Sequence, residues 1–357
     1  MPCGYRYTFP AVRGVQAGRE YYISMCPLNI IPKILLYDEE DVPPELRAQR
    51  TLNKSRIPTI TKYIVENPDS YIFSALTASI DGDVQFEPLS RNRYEYQLGL
   101  LHVPMDSKFI INDGQHRRAA IEEAIKKRPE LGDEMIGVVF FVDTGLSRAQ
   151  QMFADLNRYA VRPSKSLSVL YDHRDPLSEA ISLMVLESSF FNPLTDRHKS
   201  SLALRSKKLF TLSALRTATE ELFKGIELDD TNHIRQIVDT FWHNIACHIP
   251  EWRAVSDKEK TAGYVREHFI HTYAVTLQAL GRVGSFLLQN YIQDWKQRLT
   301  DLEAIDWSRN NPMWDGRPVV DGAIRHSAKI ITLTTIVIKS KLGLPLTKEE
   351  LAAEQIR

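Results

Sequence analysis

The sequence predicts an α+β protein, with a mixed α/β N-terminal domain over residues 1–165 and a helical domain over residues 166–357. Three observations carry this. Before about Lys165, short β-branched and aromatic runs alternate with turn residues, as in Phe109–Ile111 and Ile136–Val142. After it, apolar residues recur at helical spacing through segments such as Pro176–Glu187. Between them, FIINDGQHRRAAIEEAIKKR reads as strand, tight turn and helix. Gly114 supplies the conformational freedom for the turn, and Ala119, Ala120, Ile121, Ala124 and Ile125 mark the helical face.

In chain order, the candidate strands are Tyr5–Phe9, Glu20–Met25 and Ile30–Leu36, the last with Pro32 inside it. Residues 38–45 (DEEDVPPE) form an acidic linker. Ile57, Ile60, Ile64 and Val65 then share a helical face that Asn67-Pro68 ends. Tyr71–Ile80 reads as a strand, Glu87–Leu101 as a hairpin arm, and Ile136–Val142 as a buried strand. Ser147 caps a helix through Ala149, Met152, Phe153 and Leu156, which ends near Pro163. The later helices are Pro176–Glu187, Leu212–Lys224, Ile234–Ala246, a long one over Ala262–Arg298, Gly322–Lys341 and an amphipathic tail.

Composition narrows the functional classes. With 43% hydrophobic and 25% charged residues this is a globular composition. Lys+Arg and Asp+Glu both total 45, so only a local patch can serve a nucleic-acid partner. Cys3, Cys26 and Cys247 are scattered and odd in number, which fits a reducing cytoplasm without a disulfide framework. Cys26 is the position considered for a regulatory thiol. The opening MPCGYRYTFPAVRG has no apolar core segment, so no signal peptide is expected, and IGVVFFV and IITLTTIVI are too short to span a bilayer.

Two constellations carry chemistry. Gly114, Gln115, His116, Arg117 and Arg118 stand at a helix start, where free N–H groups favour an anion and arginines are out of place without one. Asn53 and Arg56, ahead of the preceding helix, join this phosphate-binding set. The alternative is a surface helix whose arginines pair with Asp113 or Glu122. Asp155 and Asn157 offer oxygen ligands for Mg²⁺ beside the phosphates, the alternative being a plain helix end. In an NTPase reading Asp113, His116, Asp155 and Asn157 are the catalytic candidates, with ATP or CTP and Mg²⁺ as cofactors. The second constellation is Arg197–Thr219, in which Arg197, Lys199, Arg205, Lys207, Lys208 and Arg216 are interleaved with hydroxyl residues and no acid. Such a stretch suits the phosphates of double-stranded DNA, and Leu212–Glu221 is a candidate groove helix. A solvated loop between helices is the alternative. His268 and His271 are placed i,i+3 on one helix, in a pattern that matches no common zinc motif.

DGQHR followed by RAAI resembles the DGQHR-domain proteins, and the wider pattern resembles the DndB family associated with bacterial DNA phosphorothioation. The matching stretches are LNKSRIPTITKYI, SALTASIDG, FIINDGQHRRAAI, FADLNRYAVRPSKSLSVLYDHRDP, SKKLFTLSAL, NPMWDGRPV and LGLPLTKEE. The resemblance implies a ParB/sulfiredoxin-like N-terminal fold, with Gly114, Arg117 and Arg118 on that fold's phosphate pattern. Asn157 matches the asparagine of the ParB-type Glu-Asn pair and Asp155 sits near the acid position. Sulfiredoxins carry a cysteine where this chain has Gln115, so sulfinic-acid reduction is not expected. The family's implied function is repression of the phosphorothioation gene cluster, with promoter DNA as partner and other Dnd proteins and homo-oligomers left open. A nucleotide-dependent switch or a structural partner of the modification complex are the competing readings.

Overall fold

The computed structural model describes residues 5–35, 54–90, 92, 95–143, 148, 151–152, 155–156, 163–227 and 230–355. The chain divides into two compact units, Met1–Val161 and Arg162–Arg357. The architecture is α+β, as the sequence predicts, and among the described residues no helix is long and apolar enough to cross a membrane.

The first unit is built on a seven-stranded mixed sheet of order β4-β5-β1-β2-β7-β3-β6. Its strands are β1 (Arg6–Gln16), β2 (Arg19–Pro27), β3 (Leu76–Asp81), β4 (Gln85–Pro88), β5 (Leu98–Pro104), β6 (Lys108–Asp113) and β7 (Met135–Val142). Only β3 and β7 pair in parallel. β1 and β2 form one hairpin that the sequence reading splits into two separate short strands. Ala17 (φ 50°) and Gly18 (φ 72°) both take positive φ, which suits the right-handed twist of a two-residue hairpin. The expected hairpin over Glu87–Leu101 is the antiparallel β4–β5 pair.

Two expected strands differ. Ile30–Leu36 contains a short helix, α1 (Ile31–Ile34), because Pro32 lies in its first turn, where its missing N–H costs nothing. Tyr71–Ile80 is a strand only from Leu76. The carbonyls of Ser74 and Ala75 accept from the Arg117 guanidinium, which removes them from a sheet ladder. Helices α2 (Ile57–Glu66) and α3 (Gln115–Lys127) cover the inner face of the sheet, burying Ile64, Ala120, Ile121 and Ala124 against Leu76, Ala78, Ile80, Val138 and Phe140. Cys26 is fully buried in this core and its thiol is pushed up to about 11 by desolvation, so it is a packing residue, not the regulatory thiol considered from sequence. The linker at 38–45 and most of the helix expected around Ser147 lie outside the described residues.

The second unit is helical. Its elements include α4 (Lys165–Tyr171), α5 (Pro176–Glu187), α6 (Leu212–Leu222), α7 (Thr231–Cys247), α8 (Pro250–Ser256), α9 (Ala262–His268), α10 (Ala274–Asn290), α11 (Ala328–Lys341) and α12 (Lys348–Gln355). A tiny parallel pair, Thr195–Asp196 with Phe210–Thr211, closes the base of the loop between α5 and α6. Helix α10 is the buried axis, contacting α6 and α11. Gly281 permits the close approach, since a Cβ there would stand 2.1 Å from the Ala218 carbonyl oxygen. The single long helix expected over Ala262–Arg298 is broken into α9, α10 and a turn at Trp295–Arg298. The breaking run, Phe269-Ile270-His271-Thr272-Tyr273, is β-branched or aromatic and poor in helix propensity. Its groups bond elsewhere: the Ile270 N–H donates to the Trp307 carbonyl (3.1 Å) and the Tyr273 hydroxyl to the Arg266 carbonyl (2.8 Å). His268 and His271 therefore do not share a helix. His271 is fully buried, its Nδ1 accepts from Trp252 Nε1 (2.9 Å), and its Nε2 faces Glu251 at 3.3 Å. The helix expected from Gly322 starts at Ala328, capped by the Ser327 side chain.

Candidate phosphate site and nucleic-acid interface

In the first unit, β6 runs through Asn112 and Asp113, so the turn into α3 is Gly114 alone. Gly114 has φ 103°, and a Cβ there would stand 2.4 Å from Leu76 Cδ2. The two arginines are not waiting for an anion. Arg117 donates to the Ser74 carbonyl and hydroxyl, to the Ala75 carbonyl (3.2 Å) and to Asp113 Oδ2 (2.7 Å). Arg118 donates to the carbonyls of Leu35 (2.9 Å) and Pro32 (2.7 Å) and pairs with Glu122. The pairing with Asp113 and Glu122 is the alternative that the sequence left open. Both guanidinium groups are clamps that tie the start of α3 to neighbouring chain.

What remains for an anion at this turn is the helix end, Arg56 and the imidazole of His116. Helices α2 and α3 lie side by side in parallel. Arg128, at the end of α3, donates to the Val65 carbonyl near the end of α2 (3.1 Å). At the opposite end, the charge of Arg56 acts on His116. The starts of both helices therefore face the same region, α3 with the free N–H groups of its first turn and α2 continuing from a 3-10 turn at Lys54–Arg56. Burial, and then the Arg56 charge, holds the His116 imidazole below its ordinary value. Gln115 turns back, donating to the Ile111 carbonyl (3.4 Å). Asp155 is exposed and accepts from Gln151 Nε2 (2.8 Å). Asn53 and Asn157 lie outside the described residues, so the suggested Mg²⁺ pair is not assembled within them.

In the second unit, the basic stretch divides by contact. Lys208 donates to the carbonyls of Pro193 (2.8 Å) and Asn192 (3.4 Å). Arg216 is held by Asp175 (2.6 Å), Ser178 (3.1 Å) and Glu220 (3.3 Å). Helix α6, expected as a groove helix, buries Leu212, Leu215, Ala218 and Leu222 in the core. Arg216 on it is therefore a structural ion pair, and the exposed basic element is the loop before it. That loop carries Lys199, Arg205 and Lys207 exposed and Arg197 half-buried.

The loop is irregular yet fixed. Asp196 accepts the N–H groups of His198 (2.9 Å) and Lys199 (2.8 Å), turning the chain at its start. Arg266, on α9, donates to the carbonyls of Ala203 (2.8 Å), Leu204 (2.8 Å), Ser206 (3.1 Å) and Lys208. Sequence reasoning missed Arg266, and nothing local signals it, because its partners lie about 60 residues away in the chain.

A family model described as DndB, DNA-sulfur modification-associated, matches residues 9–345. An SPbeta prophage-derived uncharacterized protein, YopQ, from Bacillus subtilis (strain 168) is 24% identical over 238 residues, covering 64% of this chain. The chain spans about half the length of that relative (50%). No solved structure matches. The family match extends over nearly the whole chain and implies involvement in DNA sulfur modification. The chain belongs to the DndB family of DNA-sulfur modification-associated proteins.

Proposed function

We propose that the protein is a DNA-binding repressor of a phosphorothioation gene cluster and that the loop from Arg197 to Lys207 contacts the phosphates of its promoter. One observation carries this reading: a loop with four cations is held in one shape through its backbone, by Asp196 at its start and Arg266 further along. A fixed loop loses little conformational freedom on binding, and cations on phosphates supply sequence-independent affinity. The double variant Arg205→Gln/Lys207→Gln is expected to weaken binding to the duplex upstream of the modification genes. Its plot of log affinity against log salt should flatten by about 2, close to one unit per lost phosphate contact. Anisotropy titrations over a salt series measure both. An unchanged slope would remove the loop from the interface.

A second reading rests on the paired N-termini of α2 and α3, with Arg56 beside His116. Here the turn at Gly114 holds the phosphates of ATP or CTP and acts as a switch, with Asp155 and Asn157 proposed as the Mg²⁺ ligands. Gly114 lies on the ParB-like phosphate pattern that the family resemblance implies. Because His116 is held below its ordinary value in the free protein, an arriving phosphate restores its affinity for a proton. Binding then takes up a proton, and affinity is expected to rise as pH falls from about 7.5 towards 6, through the ordinary imidazole range. His116→Gln should abolish that pH dependence. Calorimetry with ATP or CTP and Mg²⁺ that gives no heat across this range would sink the switch.

A further inference from the structure

Under the basic loop, within the second unit, lies a cleft of about 510 Å³, in the usual range for a small-molecule site. Its floor is the first two turns of α6. Ser213 stands at one end, where Ser166 and the start of α4 meet it, and Thr217 at the other, where it accepts from Gln278 Nε2 (3.3 Å). The floor between them is one helical turn, about 6 Å along the axis, and the lining continues past it to Lys165 and to His326. The first end carries the exposed Lys165, whose N–H donates to Ser200 Oγ (2.9 Å). The far end carries Gln278 and His326, in contact at 3.2 Å. Leu204, Leu209, Ala214 and Tyr273 give the walls an apolar surface between the two polar ends.

One feature separates this cleft from a solvent-filled groove. None of its lining residues is an aspartate or glutamate, although Lys165 and Arg266 line it, so its charge favours an anion.

We propose that this cleft binds a nucleoside phosphate: the phosphate at Lys165 and the neighbouring serine hydroxyls, the flat body against Tyr273 and Ala214, and the polar edge of the base at Gln278 and His326. Cation plus hydroxyl donors are the usual partners of phosphate oxygens. The ligand is either a free nucleotide or one nucleotide of a single strand. This site is separate from the turn at Gly114, and it stands whether or not the loop above it reaches DNA.

Calorimetry on the full chain with AMP, dTMP, inorganic phosphate and a short single-stranded oligonucleotide tests it. Binding of AMP or dTMP identifies free nucleotide as the source, and binding of the oligonucleotide alone identifies a strand. Lys165→Glu is expected to weaken that binding about tenfold or more, the loss of one charge-assisted bond. Three outcomes overturn the proposal: no heat with either monophosphate or the oligonucleotide at millimolar concentration, binding of inorganic phosphate as tight as that of AMP, or binding that survives Lys165→Glu. In the last case a loss with Arg56→Ala would assign the nucleotide to the turn at Gly114.

Discussion

Replacing Glu350 by alanine is expected to destabilise the protein by about 3–5 kcal/mol, the cost of leaving a buried cation unpaired. Helix α12 has no buried residue, so the hydrophobic effect does little to hold it. Its attachment is ionic. Lys339 on α11 is 1% exposed, lies 3.7 Å over the Phe286 ring, and meets Glu350 at 2.6 Å. Glu350 also accepts the Thr347 N–H (2.7 Å), and Arg317 donates to Glu354 (3.0 Å) and to the Leu333 carbonyl (2.9 Å). Removing the carboxylate strands the ammonium group inside the fold. The double replacement Lys339→Met/Glu350→Leu removes both charges and should recover most of the loss, because a paired charge and an apolar pair of similar volume are close in stability. Urea unfolding of the single and double variants gives the comparison. A Glu350→Ala loss under about 1 kcal/mol, the range of exposed ion pairs, would mean the pair is solvated.

Gly114→Val is expected to cost the first unit about 2–5 kcal/mol. Two penalties add. A β-branched residue at φ 103° adopts backbone that side chains avoid, and its Cβ would stand 2.4 Å from Leu76 Cδ2 in a fully buried part of the core. The Arg117 guanidinium, 3.2 Å away, would have to move as well, loosening its bonds to Ser74, Ala75 and Asp113. A fall in the thermal midpoint of the transition that reports the sheet is the expected readout. A midpoint within a degree or two of the parent would show that the turn has room the structure does not give it.

Much of the fold is legible where one segment decides its own structure. The apolar run at Ile136–Val142 is β7 with one residue added, Pro176–Glu187 is α5 as read, and the four apolar positions from Ile57 to Val65 are the buried side of α2. The errors come where distant groups decide. Tyr71–Ala75 is apolar enough for a strand, but Arg117 takes the carbonyls of residues 74 and 75. Ala262–Arg298 has helical spacing, but the Ile270 N–H goes to Trp307. The candidate sites divide the same way. The turn at Gly114 is local, and its positive φ is legible from the residue itself. For the arginines beside it, the partners Asp113 and Glu122 are legible at i,i+4 spacing, whereas Pro32, Leu35 and Ser74 are remote in sequence. The basic stretch looked free of acids, although Asp175 reaches Arg216 across 41 positions.

The grip of Arg266 has a bearing on how this protein can change over generations. It holds four carbonyl oxygens and no side chain of the loop. Any residue other than one that alters the backbone course can therefore be exchanged at Lys199, Arg205 or Lys207 with the loop's path kept. The path of residues 203–208 is set from outside by one arginine and that of residues 198 and 199 by Asp196, Ser164 and Ser166, so the face the loop turns to a partner is free to drift. Relatives can diverge in what they touch at this place while keeping the same scaffold beneath it.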